Sequence, residues 1–262
     1  MDKYLRMLRF ELKNLVRESM TVVMIVYPLM MMLVGAFVIP AIIDTFSDGG
    51  PAERTASLFV LVTITSIGPF IGAAMLGFNL LDHRDENTLD TIRVTPVSLR
   101  GYLTFKAIYA YVFSVLGTIV MLGGVKLLAG DGYTVMGENL LDYFTFANIV
   151  YYALVAGLFT PVFAFFLAAV SKNKIEGFAY MKMSGMIIIV PVLALLDALQ
   201  NYRQYFLGIV PSFWPLKGFL VEAGLLNHAH NLPGFGYMLI GALYMATLIY
   251  VTYRVFDRAV KG

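Results

Sequence analysis

Cysteine is absent from the 262 residues of the chain, and charged side chains are scarce. Without cysteine, the chain has no disulfide, iron–sulfur cluster or thiolate metal site. Charged residues make up 14% of the sequence and hydrophobic residues 59%, whereas an ordinary globular domain has about 25% charged residues. Together with a mean hydropathy of +0.77, this composition indicates an integral membrane protein.

A phosphate-binding loop of the form GxxxxGKS or GxxxxGKT is also missing, so the chain cannot hydrolyse ATP by the mechanism that depends on this loop. Ionisable residues are also missing from the centres of the long apolar runs. The nearest ones, Lys106, Lys126 and Asp197, all lie toward the ends of these runs. Proton-coupled carriers and intramembrane hydrolases normally need an acid or a base at that depth. The sequence therefore disfavours a secondary carrier that works without an ATPase, and also a membrane-embedded enzyme or assembly factor, although both stay open as alternatives.

Six apolar runs approach the length of about 20 residues that a membrane span needs. The fifth run is short unless the charged side chains at its ends snorkel to the interface or it begins near Phe178. The sequence therefore predicts an all-α membrane protein, with residues 1–262 forming a single transmembrane domain of six transmembrane helices. The predicted spans are residues 20–43, 58–81, 103–128, 146–170, 183–196 and 236–255.

Basic residues are concentrated in every second connection between the predicted spans. If the N-terminus is cytoplasmic, 15 of the 19 Lys and Arg residues fall on the inner side. The other four, Arg54, Lys126, Arg203 and Lys217, fall on the outer side. By the positive-inside rule, we expect a multi-pass protein of the cytoplasmic membrane with both termini in the cytoplasm.

Residues 2–18 have the pattern of an amphipathic surface helix. Leu5, Leu8 and Leu12 recur at helical spacing, with basic residues along the flank, and such a helix lies on an anionic membrane surface. The segment is too charged for the apolar region of a signal peptide, so we expect no cleaved leader.

Residues 198–235 form the longest connection, and they are too rich in aromatic side chains for a plain loop. Pro211 and Pro215 interrupt the segment, which predicts two short helices at or dipping into the outer interface. His228 and His230 also lie here, but two histidines without a third ligand do not make a metal site, and none is expected.

Proline interrupts four of the predicted spans, at Pro28, Pro69, Pro161 and Pro191. Each proline removes a backbone hydrogen bond and favours a kink, which membranes tolerate where a neighbouring helix or a cavity satisfies the freed carbonyl. Two interpretations stay open: the ordinary abundance of proline in membrane helices, or spans that bend around a passage.

A charged island separates the second and third runs. Residues 82–100 include seven Asp, Glu and Arg side chains, and each would cost about 2.5–3.5 kcal/mol at the centre of a bilayer. The island is therefore a short, water-exposed connection. Thr95 is predicted as the N-cap of the third span, because Pro96 suits the first helical position.

The island itself has helical spacing. Its apolar residues Leu89 and Ile92 can share one face with Leu81. The sequence therefore predicts a short amphipathic helix within residues 82–96, with Asp82 as its N-cap.

The order of residues in the island resembles the cytosolic loop between the second and third spans of type-2 ABC transporter permeases. The shared features are mixed charges followed by NTLD at 87–90 and TP at 95–96. Asn87 replaces the usual glycine and Asp90 the usual glutamate, and asparagine tolerates glycine-like backbone angles. By this resemblance, the segment is the coupling helix that docks on a separate ATPase subunit. The residues implied in coupling are Arg84, Asp85, Glu86, Thr88, Leu89, Asp90, Ile92, Arg93, Thr95 and Pro96.

The resemblance also implies the partners of an exporter. The chain would pair with a second permease copy or a paralogue and with ABC ATPase subunits, and it would contact membrane lipids but no nucleic acid. No catalytic residue and no cofactor are expected in this chain, since ATP and magnesium belong to the partner ATPase. The cargo would be a hydrophobic or amphiphilic small molecule, a drug-like compound or a lipid, moved out of the cell. ELKNL at 11–15, YP at 27–28 and RVTP at 93–96 resemble the small-drug exporters, including those of fluoroquinolone-type compounds.

Overall fold

The computed structural model describes residues 19–45, 50–86, 88, 92, 98–196, 199, 201–226 and 232–261. Within these residues, six helices are long and apolar enough to cross a membrane, which confirms the predicted all-α fold with six spans. The predicted surface helix at 2–18 lies outside the described residues. Spans one to six are, in order, Ile25–Thr45, Glu53–Asp85, Leu99–Leu128, Phe146–Val170, Lys174–Leu195 and Gly234–Ala259.

The first three spans differ in how regular they are. Span one contains α1 (Ser19–Leu33), a π-helical turn (Val34–Val38) and α2 (Ile39–Thr45). Span two is α3 (Pro51–Asp85), which begins with proline at its first position, where the missing N–H has no helical partner to lose. Span three is α4 (Leu99–Leu128).

Spans four and five each consist of two segments, with proline beside the change. Span four is divided into α5 (Phe146–Ala156) and α6 (Phe159–Val170), and its proline lies in the first turn of α6. Span five is α7 (Lys174–Ile189) followed by a 3-10 helix (Val190–Leu195) that contains Pro191 near its start. Proline at these positions costs little, because the first N–H groups of a helix lack intrahelical acceptors.

The connection between spans five and six contains two short helices. They are a 3-10 helix (Tyr202–Ile209) and α8 (Phe213–Glu222), and α9 (Gly234–Lys261) follows as span six. The Ile209 carbonyl accepts a hydrogen bond from the hydroxyl of Tyr244, which lies about 15 Å along α9 from its start. The connection therefore reaches well down the side of span six, and the outer re-entrant segment that the family resemblance implies for residues 198–235 stays a prediction.

The two ends of the bundle carry different connections. We call the end with residues 82–86 and the connection 171–173 the island end. The opposite end, the hairpin end, carries an antiparallel pair of strands, β1 (Thr134–Val135) and β2 (Glu138–Asn139). A short 3-10 helix, Leu140–Tyr143, leads from the hairpin toward α5.

Buried apolar residues form two cores, one toward each end of the bundle. The hairpin-side core includes Leu61, Met121, Tyr152, Phe219 and Met238. The island-side core includes Phe78, Leu103, Phe163, Phe165 and Phe256. The boundary between the cores, which we call the waist, falls where α5 gives way to α6 and where Pro69 interrupts the hydrogen bonds of α3.

At the waist, span four replaces the hydrogen bond that Pro69 removes from α3. Pro69 has no N–H to donate to the Thr65 carbonyl, and the hydroxyl of Tyr152 in α5 donates to that carbonyl at 3.1 Å. The hydroxyl of Thr160 in α6 donates to the Pro69 carbonyl at 3.2 Å. Buried hydroxyls from a neighbouring span thus satisfy the backbone where α3 carries its proline.

A second replacement occurs in the π-helical turn of span one. There the Ile39 N–H donates to the Val34 carbonyl, and Pro40 has no N–H to offer to the next carbonyl, that of Gly35. The hydroxyl of Tyr133, from the hairpin end, donates to the Gly35 carbonyl at 2.7 Å. Tyr133 is fully buried, and burial raises the pKa of its hydroxyl well above the ordinary value, so the hydroxyl remains a donor.

Candidate functional site

A cavity of ≈ 250 Å³ lies at the waist of the bundle. Side chains of spans two, four, five and six form its wall, and Ile209 and Pro211 line it from the segment between spans five and six. Its aromatic lining residues are Phe70, Tyr152, Phe159, Phe163, Phe166 and Tyr244. The sequence left the lining residues unknown, because they come from four separate spans.

Aromatic rings dominate the chemistry of this wall. The ring centroid of Phe163 is 4.9 Å from that of Phe70 and 5.7 Å from that of Phe159. The polar groups are few: Ser184 donates its hydroxyl to the Met181 carbonyl. Among the described residues that line the cavity, none is charged. Flat apolar faces with a few hydroxyls suit a planar, amphiphilic molecule.

At the island end, Arg84 is turned toward span four. Its guanidinium donates to the Ala168 carbonyl at 2.9 Å and to the Ser171 carbonyl at 2.5 Å. These carbonyls belong to the last turn and the C-cap of α6, where backbone acceptors lack helical partners and the helix dipole favours a cation. The hydrogen bonds of Arg84 therefore connect the C-terminal end of α3 to the C-terminal end of α6.

Asp82 connects the same end of α3 to span five. Its carboxylate accepts a hydrogen bond from the Lys174 ammonium at 2.9 Å. The prediction that Asp82 is the N-cap of a separate helix is wrong, because α3 continues through it to Asp85 and Glu86 is the C-cap. The contacts of Asp82 and Arg84 with spans four and five stabilise α3 beyond its apolar run.

Span five begins earlier than its apolar run suggested. Asn173 is the N-cap of α7 and accepts a hydrogen bond from the Glu176 N–H at 3.0 Å, while the Glu176 carboxylate accepts one from the Lys172 N–H at 2.7 Å. This reciprocal arrangement is a variant of the capping box. It corrects the predicted start at residue 183 to Lys174, and the Asn-x-x-Glu spacing was the signal that could have placed it.

Span three begins with a cap as well. The Ser98 hydroxyl accepts a hydrogen bond from the Gly101 N–H at 3.2 Å, so Ser98 is the N-cap of α4 and the prediction of Thr95 in that role is wrong. One turn later, the Tyr102 hydroxyl lies 3.1 Å from Nδ1 of His83 at the end of α3. Polar contacts thus connect spans two, three, four and five at the island end.

The structure describes five of the predicted coupling residues. Arg84 faces span four, Asp85 and Glu86 are exposed at the end of α3, Thr88 is half-buried, and Ile92 packs against the island-side core. The other predicted coupling residues, Leu89, Asp90, Arg93, Thr95 and Pro96, lie outside the described residues. Of the five predicted coupling residues that the structure describes, only Asp85 and Glu86 are exposed.

A buried lysine lies at the hairpin end. Lys217 of α8 is 1% exposed, and its ammonium lies 4.7 Å from the ring centroid of Tyr237 and 5.1 Å from that of Tyr205. It also donates to the side-chain oxygen of Gln204. The aromatic faces attract the cation, whereas burial lowers the pKa of Lys217 to about 8. These contacts join the 3-10 helix at 202–209, α8 and the start of α9.

Metal ligands do not gather in the part of the chain that the structure describes, where no group of three or more His, Cys, Asp or Glu residues could hold an ion. His228 and His230 lie outside the described residues. The expectation that the chain has no metal site therefore stays a prediction.

Sequence comparisons identify similar proteins over most of the chain. A family model described as fluoroquinolones export permease protein Rv2686c-like matches residues 11–253. Two curated relatives from Mycobacterium tuberculosis, one from strain CDC 1551 / Oshkosh and one from strain ATCC 25618 / H37Rv, are named fluoroquinolones export permease proteins MT2760 and Rv2686c. Each is 28% identical over 200 residues, which cover 76% of this chain and 70% of the relative. The residues matched by the family model include the island and the whole lining of the waist cavity.

Proposed function

Because the chain belongs to the Rv2686c-like fluoroquinolones export permease family, we propose that it exports planar amphiphilic drugs, fluoroquinolones among them, through the cavity at its waist. Family membership confirms the resemblance to type-2 ABC transporter permeases that the island predicted. The chain is thus a membrane transporter subunit, and we assign the ATP-driven work to a separate ATPase subunit. The observation that carries the proposal is the uncharged aromatic cavity between two separately packed cores.

The position of the cavity suits a passage that opens and closes. It lies where span four changes from α5 to α6 and where the Pro69 region of α3 relies on the hydroxyls of Tyr152 and Thr160 for its hydrogen bonds. Hinges form at a few residues at the ends of helical elements. A displacement of the island-side core relative to the hairpin-side core would therefore change the shape of the cavity between them.

The island supplies a route from an ATPase to that cavity. Asp85 and Glu86 are exposed and offer acidic groups to a basic surface on the partner. Behind them, Arg84 is bonded to the end of α6, and Asp82 to Lys174 at the start of α7. Both helices line the cavity farther along, so a push on the island would move its wall.

The proposal places the island end in the cytoplasm, because most basic residues lie on that side of the predicted topology. Both termini are then cytoplasmic and the hairpin end faces outward, in the cytoplasmic membrane. A complete exporter would contain a second copy of this chain or a paralogue. A single cavity of ≈ 250 Å³ is close to the lower end of the range of about 300–1,000 Å³ for small-molecule sites, so two facing copies would provide a more ample passage.

The waist cavity is tested by filling it. The Leu248→Trp variant enlarges a side chain that lines the cavity, and Leu243→Trp makes the same change on an exposed position of the same helix. We expect Leu248→Trp to raise the Kd of a fluorescent fluoroquinolone at least about tenfold, the equivalent of ~1.4 kcal/mol, and Leu243→Trp to leave it unchanged.

Binding is measured by titrating the purified protein in detergent, with monodisperse elution and the thermal transition as controls for folding. Phe166→Ala, which removes a half-exposed ring from the wall, should also weaken binding and provides a variant with little risk to folding. Unchanged affinity in both Leu248→Trp and Phe166→Ala would remove the cavity from the proposal.

Partner and orientation are tested in cells. A tagged chain should co-purify with a nucleotide-binding subunit, and its absence from the complex would favour the alternative of a secondary carrier. For orientation, the cysteine-free background allows single-cysteine labelling. Met136 at the hairpin is 60% exposed, so Met136→Cys should react with an impermeant thiol reagent in intact cells and Asp85→Cys only after lysis. Labelling of Asp85→Cys in intact cells and of Met136→Cys only after lysis would show that the topology is the reverse of the one proposed.

A further inference from the structure

A second concave surface lies on the lipid-facing side of the bundle and shares no lining residue with the waist cavity. This groove of ≈ 410 Å³ has Pro161 and Phe165 of span four as its floor, Ile108 of α4 on one wall and Tyr250 of α9 on the other. Ile108 is 57% exposed and Tyr250 62% exposed. The groove is therefore open to the surrounding bilayer along its side.

The groove lies in the half of the bundle nearest the island end. Along α4 it extends from Thr104 to Tyr111, and along α9 from Ala246 to Tyr253, which is about 10 Å of helix in each case. One leaflet contributes about 15 Å of hydrocarbon, half of the apolar thickness of a bilayer. The groove therefore fits within a single leaflet.

Exposed arginines flank the island-end mouth of the groove. The guanidinium of Arg254 lies 5.7 Å from the ring centroid of Tyr250. Arg100 lies one turn before Thr104 on α4, and Arg254 lies one turn after Tyr250 on α9. Asp257 follows one turn later on α9, but its side chain is buried while both arginines are exposed. An apolar groove thus ends beside two exposed arginines.

We propose that this groove binds an anionic phospholipid of the leaflet at the island end. One acyl chain lies between α4 and α9 against α6, and the phosphate lies between Arg100 and Arg254. Basic pockets between membrane helices bind anionic headgroups, and the tyrosines at the mouth suit the boundary between headgroup and acyl chain. The lipid would support α6, the helix that Arg84 fastens to the island. This proposal is independent of the exported compound.

Tryptophan fluorescence provides a direct test. Trp214, the one tryptophan in the sequence, is replaced by phenylalanine, and an Ile108→Trp substitution places a single fluorophore in the groove. The variant is reconstituted in vesicles of brominated phosphatidylglycerol or brominated phosphatidylcholine mixed with the unbrominated lipids, since bromine quenches a tryptophan that it contacts. We expect phosphatidylglycerol to bind at this position with an affinity at least about fivefold higher than that of phosphatidylcholine. Each basic residue near the membrane surface raises the affinity for an anionic lipid about fivefold.

Two comparisons assign the preference to the groove. Adding Arg100→Gln and Arg254→Gln to the Ile108→Trp variant should abolish the preference for phosphatidylglycerol. A Met183→Trp reporter on α7 serves as the second comparison and should show a weaker preference. Met183 is exposed and lies as many residues from the start of α7 as Ile108 lies from the start of α4. Monodisperse elution and an unchanged thermal transition confirm that each variant is folded. Equal quenching by both lipids at the Ile108→Trp position, or a preference that survives the two arginine substitutions, would overturn the proposal. Displacement of both lipids by a fluoroquinolone would instead identify the groove as part of the drug path and would equally overturn it.

Discussion

The hairpin-side core and the island-side core are closed at their outer ends by different kinds of contact. At the hairpin end two of the closing groups are buried, since the Tyr133 hydroxyl bonds to a span-one carbonyl and Lys217 is enclosed by aromatic rings. An exposed ion pair, Arg54–Glu138 at 3.7 Å, lies outside them. At the island end the closing groups are charged and partly exposed, with 20% of the Arg84 side chain and 43% of the Lys174 side chain accessible. The hairpin end therefore contains buried polar contacts beneath its exposed ion pair, whereas the contacts of Arg84 and Lys174 at the island end are partly exposed.

This difference has an energetic consequence. Separating a buried polar group from its partner costs about 1–3 kcal/mol, whereas a surface ion pair contributes about 0–1 kcal/mol. The Asp82–Lys174 pair at the island end can therefore exchange during a transport cycle at low cost. We infer that the hairpin-side core is the fixed frame and that the island-side core is the part that moves.

The largest effect is expected at the waist, from Tyr152→Phe. The substitution leaves the Thr65 carbonyl with neither the tyrosine hydroxyl nor an N–H from Pro69, so the free energy of unfolding should fall by about 1–3 kcal/mol. Pro69→Ala restores the missing N–H, and the double variant should recover most of the loss. Chemical denaturation in detergent measures all four members of the cycle. Additive losses would show that the hydroxyl does not replace the proline's missing donor.

A somewhat smaller effect is expected for Arg84→Gln at the island end. The variant loses charge-assisted hydrogen bonds to the Ala168 and Ser171 carbonyls, and because the side chain is partly exposed we expect a loss of about 1–2 kcal/mol. Drug-stimulated ATPase activity of the complex should fall more steeply than stability. Glu86→Gln, on an exposed position without such contacts, should leave stability unchanged. Equal thermal transitions for wild type and Arg84→Gln would show that this contact does not hold α6.

The buried Lys217 at the hairpin end should make the free energy of unfolding depend on pH. Lys217 has its pKa lowered from 10.5 to about 8 in the folded protein, so between these values the unfolded chain binds more protons and the free energy of unfolding rises with pH. Below about pH 8 both states carry the charge, and the dependence disappears. The wild type should therefore gain about 4–7 °C in Tm relative to Lys217→Met between pH 7.5 and pH 9.5. Parallel pH profiles for the two proteins would contradict the burial of this charge.

The smallest effect is expected for the Asp82–Lys174 pair. Asp82→Lys and Lys174→Asp should each cost up to ~1 kcal/mol, because both side chains are partly exposed. The exchanged double variant should recover stability, and it should also recover transport if the pair only fastens α3 to α7. Thermal melting and vesicle transport check the two outcomes separately. Failure of the exchange to restore either property would mean that the two residues act through other partners.

The sequence was sufficient to predict the fold, but it did not reveal the polar contacts that close the two ends of the bundle. Apolar runs and the placement of Lys and Arg identified six spans, and the NTLD and TP motifs of the island indicated the family. The Arg84 and Tyr133 contacts join residues 84 to 98 positions apart, and no local pattern reveals such pairs. Asp82 was misassigned as a cap because its partner, Lys174, lies 92 residues away, and the aromatic enclosure of Lys217 depends likewise on tertiary packing.

The central claim, that a separate ATPase drives drug movement through the waist cavity, is tested most directly in inside-out vesicles. Uptake of a fluorescent fluoroquinolone is measured with the chain alone, with its co-purified ATPase subunit, and with that subunit and the Leu248→Trp variant. We predict uptake only when the ATPase subunit and ATP are both present, and little uptake with Leu248→Trp. Uptake by the chain alone, driven by a proton gradient without ATP, would contradict this account.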